Sequence, residues 1–251
     1  MPGTKARMVC LPWDIRAVRA PHPPSRSNVD PDPMSADLPV SREALHRTFG
    51  PSAFDLPCFY ANQPALRFEL SQYGQRLDLF EQAWDRARPI VDHALGDSSA
   101  LVAVLSRFGD GVPMHSRELF RSLRACGVRM GRSRAWWTEP YADGEPESRL
   151  FVAFACEREA VRHLLWGALA HDIGIRPRLE AMVHFADPAR GIVIHPYDDR
   201  GMDIVGPNHA LLAELYHRFN EDLLDYDRER MDAFFASPAG TTPAASSDHP
   251  G

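Results

Sequence analysis

The spacing of hydrophobic positions after residue 40 alternates between helical and strand periods. Apolar residues that recur about every 3.6 positions predict helices. These helices are expected at 42–49, 75–95, 116–126, 160–170, 209–219 and 227–235. Short runs that alternate apolar and polar residues, or that are continuously apolar and rich in valine, predict strands. The strands are expected at 66–70, 100–108, 134–138, 149–155, 180–185, 191–197 and 202–205.

The order of these elements predicts the fold class. Ser41 and the pair Gly50-Pro51 are typical start and stop signals of a helix. Several predicted strands follow each other with only short loops between them, which favours antiparallel neighbours. We therefore predict a single α+β domain, with a mostly antiparallel sheet and helices packed on one face.

The two ends of the chain differ in composition from the part between them. Residues 1–40 hold eight of the 22 prolines, and 237–251 contain no Val, Ile, Leu, Phe or Met. Proline removes backbone donors, and a segment without large apolar residues has nothing to bury. We predict that both ends are disordered and that 41–236 is the folded domain. Met34 is an alternative start of the protein, which intact-mass measurement would test.

The amino-acid composition limits the types of reaction and the cellular compartments that fit this protein. Lys5 is the only lysine among 28 cationic residues, so a mechanism that needs an amine nucleophile is disfavoured, and we expect no cofactor. The four cysteines form no CxxC pair, which indicates reduced thiols in a cytoplasm. No run of about 18 apolar residues exists, so we expect no membrane span.

The segment between the last two predicted strands carries the most distinctive candidate site. Asp198, Asp199 and Asp203, with His195 as a base, are candidates for a metal-dependent hydrolytic site, because carboxylates at a hairpin tip can hold two metal ions. The alternative, which we favour, is a structural turn in which Asp198 binds turn amides and no metal is held. Gly201 then takes the left-handed conformation, as in a bulged hairpin. Arg200 in this turn pairs with a nearby carboxylate.

The same segment resembles a known family. Tyr197–Asp203, followed by Leu215-Tyr216 and by Leu223–Asp227, is similar to the C-terminal signature of a bacterial domain-of-unknown-function family, DUF3885. The predicted strand at 66–70 resembles the first strand of that family. The resemblance covers about 60–236, and it implies a bacterial domain of α/β type without known catalytic residues.

Aromatic and histidine positions supply further candidates. His184 and His195 lie on two strands that are predicted to pair, where facing imidazoles can bind a metal, act as base and orienter, or be ordinary structural histidines. Trp136 and Trp137 are adjacent in a predicted strand, so one should face the core and the other the solvent. The exposed tryptophan, between Arg132 and Arg134, is a candidate binding platform. The alternative is that helices cover both rings.

Charge is the strongest functional signal in the sequence. Residues 198–236 carry ten acids and four arginines, which accounts for the whole net charge of −6, whereas 41–197 are neutral. An acidic surface disfavours nucleic acid and attracts a basic protein. The expected binding residues are Asp222, Asp225, Asp227, Trp136, Trp137 and Arg200.

These observations favour a non-catalytic protein-binding domain. One version of this hypothesis is an immunity- or inhibitor-like protein whose acidic C-terminal face covers a basic partner. The alternative is a metal-dependent hydrolase or nucleotide-processing enzyme that uses the three aspartates.

Overall fold

The computed structural model of the protein describes residues 40–109, 117–131, 133–140 and 147–236. The two ends predicted to be disordered lie outside these residues, apart from Val40, and so does Arg132. Helices in the described part are α1 Arg42–Phe49, α2 Cys58–Ala61, α3 Arg76–Leu95, α4 Arg117–Ala125, α5 Arg158–Ile173, α6 His209–Arg218 and α7 Arg228–Phe235. Strands are β1 Ala65–Glu69, β2 Leu101–Gly109, β3 Arg134–Pro140, β4 Ser148–Cys156, β5 Met182–Asp187, β6 Ile192–Pro196 and β7 Gly201–Val205.

The strands form one sheet in the order β1-β7-β6-β5-β2-β4-β3, and every neighbouring pair is antiparallel. The pairs β3–β4, β5–β6 and β6–β7 are neighbours both in sequence and in the sheet, as expected for short connections. Strand β1 instead pairs with β7, near the other end of the chain. The predicted α+β domain with an antiparallel sheet is confirmed.

Local signals explain where several helices begin and end. Ser41 Oγ accepts a hydrogen bond from the Ala44 amide at 3.2 Å, and Gly50 ends α1 with a φ of 93°, which glycine adopts without strain. At the start of α3, the side chains of Gln75 and Asp78 form a reciprocal capping box. The predicted α1 and α3 therefore match the structure closely.

Long helices cover one face of the sheet. Helices α3, α5 and α6 pack together, and they contact β1, β5 and β6. Alternation within β1 directs the buried Leu66 and Phe68 to the face opposite Arg67. None of the helices in the described ranges is long and apolar enough to cross a membrane.

The opposite face is covered by residues 40–64, which we call the N-terminal strap. The strap contains α1 and α2 but no strand of the sheet, and α2 contacts β1 and β7. Phe54 of the strap packs its ring edge against His184, at 5.5 Å between centroids. The hydrophobic pattern predicted α1 but not α2 or this covering role. The strap lies over one polar side chain on each of five strands. These are Arg67 on β1, Arg149 on β4, His184 on β5, His195 on β6 and Asp203 on β7, and we call them the buried polar layer.

Candidate functional site

The turn between β6 and β7 is built around Asp198. One carboxylate oxygen accepts from the Arg200 amide at 2.8 Å, and the other accepts from Arg200 Nε at 2.8 Å and from its Nη2. Two residues of one turn are thereby fixed by a charge-assisted pair. Two parts of the turn hypothesis are confirmed: Asp198 accepts from an amide of the turn, and Arg200 pairs with a nearby carboxylate.

The role predicted for Gly201 is wrong in one respect. Its φ is not positive, so the residue does not adopt the left-handed conformation. Glycine is needed for space: a Cβ atom there would overlap the hydroxyl of Tyr197 and would lie 2.9 Å from the Phe68 carbonyl oxygen. The absence of a side chain at Gly201 therefore lets the Tyr197 ring lie across the start of β7.

Beside this turn lies a cleft of about 530 Å³, which we call the turn cleft. Its lining comes from the β1–α3 connection, the β6–β7 turn and the segment before α7. The lining residues are Glu69, Ser71, Gln72, Tyr73, Leu79, Tyr197, Asp199, Arg200 and Leu224. Two carboxylates and two tyrosines thus share one concave surface with the Arg200 guanidinium and two leucines.

Asp199 is the most unusual side chain in the turn cleft. It is buried, and its Oδ2 accepts a hydrogen bond from Ser71 Oγ at 3.3 Å. Burial raises the pKa of Asp199, and the nearby Asp198 carboxylate adds to that rise. A carboxylate held in a cleft with a raised pKa is a typical feature of functional sites.

Asp203, the third aspartate of the motif, belongs to the buried polar layer under the strap. It accepts from Arg67 Nε at 2.7 Å and Nη2 at 3.0 Å, and from the Phe59 amide at 3.0 Å. The three candidate catalytic aspartates therefore each have separate partners. No group of three His, Cys, Asp or Glu residues in the described ranges is arranged to hold a metal ion.

The two candidate histidines meet as the strand pairing predicted. The rings of His184 and His195 stack with centroids 4.1 Å apart and an interplanar angle of 9°. His195 Nδ1 lies 2.9 Å from the Val183 carbonyl oxygen, while the other three ring nitrogens have no hydrogen-bond partner within the described residues. Burial lowers the pKa of both imidazoles. Both rings lie inside the domain, so His195 is not exposed as a base.

The predicted acidic C-terminal face is reduced by burial. Four of the ten acids in 198–236 are buried, namely Asp198, Asp199, Asp203 and Asp227. Asp227, which we predicted to bind a partner, instead accepts from Tyr60 Oη at 2.9 Å and from Arg67 Nη1 at 3.2 Å. Its carboxylate therefore faces these two side chains rather than the surface of the domain.

Other predicted binding residues remain accessible. Asp225 is exposed and lies 3.6 Å from Arg228 Nη2, whereas Asp222 is half-buried beside Arg86. Arg200 has 73% of its side chain exposed although Asp198 holds it. Accessible charge in this region is therefore of mixed sign.

The tryptophan pair follows the predicted alternation. Trp136 is 50% exposed, with the Arg134 guanidinium 5.8 Å from its ring, and it lies on β3 at the edge of the described sheet. Trp137 is half-buried and stacks on Phe151 at 5.0 Å. Trp136 is thus the more accessible of the two predicted binding residues, and its role as a platform stays a prediction.

Sequence reasoning did not predict several residues that build these sites. Glu69, Ser71 and Tyr73 line the turn cleft, and Arg67 joins Asp203 to Asp227. The arginine inside the apolar alternation of β1 was the available signal, because a cation on a buried strand requires carboxylate partners.

Comparison with known proteins shows which family the chain belongs to. The family model described as "Domain of unknown function (DUF3885)" matches residues 42–227. The chain belongs to the DUF3885 family. The match covers the strap from residue 42 on, the whole sheet and the turn cleft, so these features lie within the DUF3885 domain. No curated protein and no solved structure matches the chain.

Proposed function

We propose that this DUF3885 domain is a non-catalytic binding domain, and that its turn cleft receives a basic side chain of a partner protein. One version of this function is an immunity- or inhibitor-like protein that covers a basic partner. The free thiols of Cys58, Cys126 and Cys156 are consistent with a reducing compartment, so we place the protein in a bacterial cytoplasm as part of the proposal.

The observation that carries the proposal is the placement of Glu69 and Asp199 on one cleft with the rings of Tyr73 and Tyr197. A guanidinium or ammonium group is bound well where carboxylates supply charge and aromatic faces supply cation–π contact. Tyr73 is largely exposed, so its ring is free to cover an incoming side chain.

The alternative, a metal-dependent hydrolase that uses Asp198, Asp199 and Asp203, has less support. Asp198 is occupied by Arg200, and Asp203 by Arg67. Two metal ions would have to displace both arginines, at the cost of leaving the largely enclosed Arg67 guanidinium with one carboxylate fewer. The raised pKa of Asp199 agrees with a carboxylate that binds a ligand in the cleft as well as it agrees with a catalytic one.

The binding proposal is tested with a small probe, Nα-acetyl-arginine amide, in an amide NMR titration of the full chain. We expect shifts at Ser71, Tyr73 and Asp199 with an affinity in the millimolar range. The Asp199→Asn variant should bind about tenfold more weakly, since a charge-assisted hydrogen bond contributes about 1.5 kcal/mol. The citrulline amide, which has nearly the same shape but no charge, should not bind.

Asp225→Asn is the matched control, because Asp225 is an exposed acid next to the cleft-lining Leu224. It removes the same charge from the same region and should leave probe affinity unchanged. Equal weakening by both variants would indicate only general attraction between charges, and would contradict a cleft that recognises the probe. Absence of shifts in the wild type would contradict the proposal outright.

A further inference from the structure

The buried polar layer under the N-terminal strap contains two neutral bases that nothing in the proposed binding function uses. His184 and His195 are directly opposite each other on β5 and β6 and are fully enclosed. Phe54 of the strap closes over His184, and the ring of Tyr197 lies 6.2 Å from His195. Both rings are closed off from bulk solvent, and three of their four nitrogens have no hydrogen-bond partner among the described residues.

The charge of Arg149 opposes the uptake of a proton by either histidine. Arg149 on β4 is buried in the same layer, where it donates to the Phe54 carbonyl oxygen at 2.6 Å and to Ser106 Oγ at 2.8 Å, and no described carboxylate forms an ion pair with it. Burial lowers the pKa of Arg149 to about 10, so positive charge is disfavoured at this position. A protonated His184 would add a second cation close to it.

The acids that face the pair are already engaged. Asp203 on β7 accepts three hydrogen bonds from Arg67 and the Phe59 amide, and Asp198 in the turn is held by Arg200. Their charges favour a protonated His195, but burial outweighs this effect and its pKa is lowered.

The strap adds further titratable groups, and none of them supplies a free anion to the pair. Cys58 is a buried thiol whose pKa is raised by burial, and the ring of His46 stacks with Phe54 at 6.1 Å. Asp55 favours the charged form of Arg149. Protonation of the stacked pair is therefore accommodated only by bringing water to the rings.

The strap is the element that can move to admit water. It contributes no strand to the sheet, and its polar attachments to the sheet are side-chain contacts: Arg149 to Phe54, Asp203 to Phe59 and Arg42 to Glu139. By contrast, β5 and β6 are held by ladders on both sides. Because the strap has no backbone ladder to the described sheet, we expect local opening there before it occurs at β5 or β6.

We propose that the N-terminal strap is an acid-released cover, which opens from the sheet when the stacked His184–His195 pair takes up a proton. This inference does not depend on what the turn cleft binds. The size of the effect follows from proton linkage. A histidine that becomes hydrated when the strap opens regains an ordinary pKa near 6.5. Lowering the pH from 7.5 to 5.0 then increases the equilibrium constant for opening by about 30-fold.

Hydrogen exchange measured by mass spectrometry on the full chain, at pH 7.5 and 5.0, tests the proposal. After correction for intrinsic rates, peptides from 42–61 should exchange about 30-fold faster at pH 5.0 for each histidine that becomes hydrated. Peptides from β2 and β4 should change much less. Equal exchange of the strap at both pH values would overturn the proposal, and so would an equal acceleration in β2 and β4, which indicates global unfolding.

Two variants assign the effect to the pair. His184→Phe keeps an aromatic ring against Phe54 but cannot be protonated. The acceleration of strap exchange in acid should therefore be smaller than in the wild type by about 30-fold, the contribution of one histidine. His209→Gln, which removes an exposed histidine, should behave as the wild type. An undiminished acceleration in His184→Phe would overturn the proposal.

A second readout needs no variant. Cys58 lies in the strap and Cys126 follows α4, and both thiols are buried. With a dipyridyl disulfide, which labels thiols in acid, labelling of Cys58 relative to Cys126 should rise at least tenfold from pH 7.5 to 5.0. A constant ratio of the two rates would contradict release of the strap.

Discussion

Arg67 on β1 and Asp203 on β7 are directly opposite each other in the sheet and are joined by two hydrogen bonds, of 2.7 and 3.0 Å. The same guanidinium reaches Asp227 before α7 and lies over the rings of Phe59 and Tyr60 in the strap. One arginine thus connects β1, β7, the strap and the segment before α7. These charged side chains therefore pair with each other inside the domain and hold its segments together.

We expect Asp203→Ala to destabilise the domain by about 3–5 kcal/mol, because it leaves Arg67 buried with one carboxylate fewer and leaves the Phe59 amide unpaired. Urea denaturation at pH 7.5 measures the change in unfolding free energy. A loss below about 1 kcal/mol would show that the ion pair is hydrated and contributes little.

Asp227 and Asp225 should respond differently to the same substitution. Asp227→Asn weakens a buried bond to Arg67 and should cost about 2 kcal/mol, whereas Asp225→Asn at the exposed surface should cost less than about 0.5 kcal/mol. Thermal unfolding of the two variants, each with one charge removed, provides the comparison. Similar losses would mean that burial does not distinguish the two acids.

Gly201→Ala should destabilise the β6–β7 hairpin by about 1–3 kcal/mol, because the added Cβ overlaps Tyr197 and approaches the Phe68 carbonyl oxygen. Gly109→Ala is the control, since that glycine has open space and no positive φ. Combining Gly201→Ala with Tyr197→Ala should recover part of the loss in a double-mutant cycle. Strict additivity would contradict the proposed steric cause.

Stability should fall as the pH drops below about 6.5, through the histidine pair. Burial lowers the pKa of His184 and His195 in the folded state, so the unfolded chain binds more protons between that lowered pKa and 6.5. The stabilisation is complete above pH 6.5 and is lost at up to about 1.4 kcal/mol per pH unit for each histidine below it. Urea denaturation between pH 7.5 and 5.5 measures the slope, and His184→Phe should reduce it. A flat profile over this range would contradict the lowered pKa of the pair.

Trp137→Ala should cost more stability than Trp136→Ala. Trp137 stacks on Phe151 and donates to Glu139 Oε1 at 3.0 Å, so its removal should cost about 2–3 kcal/mol. Trp136, with half of its surface exposed, should cost less than about 1 kcal/mol. Chemical denaturation of both variants decides this, and a reversed order would mean that Trp136 is covered.

Much of the secondary structure could be predicted because it depends on local spacing. The helix beginning after Ser41, the alternating strand at 65–69 and the turn built on Asp198 all follow from contacts within a few residues. The alternation that separated Trp136 from Trp137 is equally local, since successive side chains of a strand point to opposite faces. The helix α2 was missed because four residues are too few to show a period.

The long-range arrangement was decided only by the tertiary structure. Sequence alone showed that the acids of 198–236 carry the net charge, but not that Arg67, 136 positions from Asp203, would bury part of it. It placed two histidines on adjacent strands, but not the strap that excludes water from them. Both outcomes depend on which distant segments meet, and this is set by the burial of the whole sheet between the strap and the long helices rather than by any local pattern.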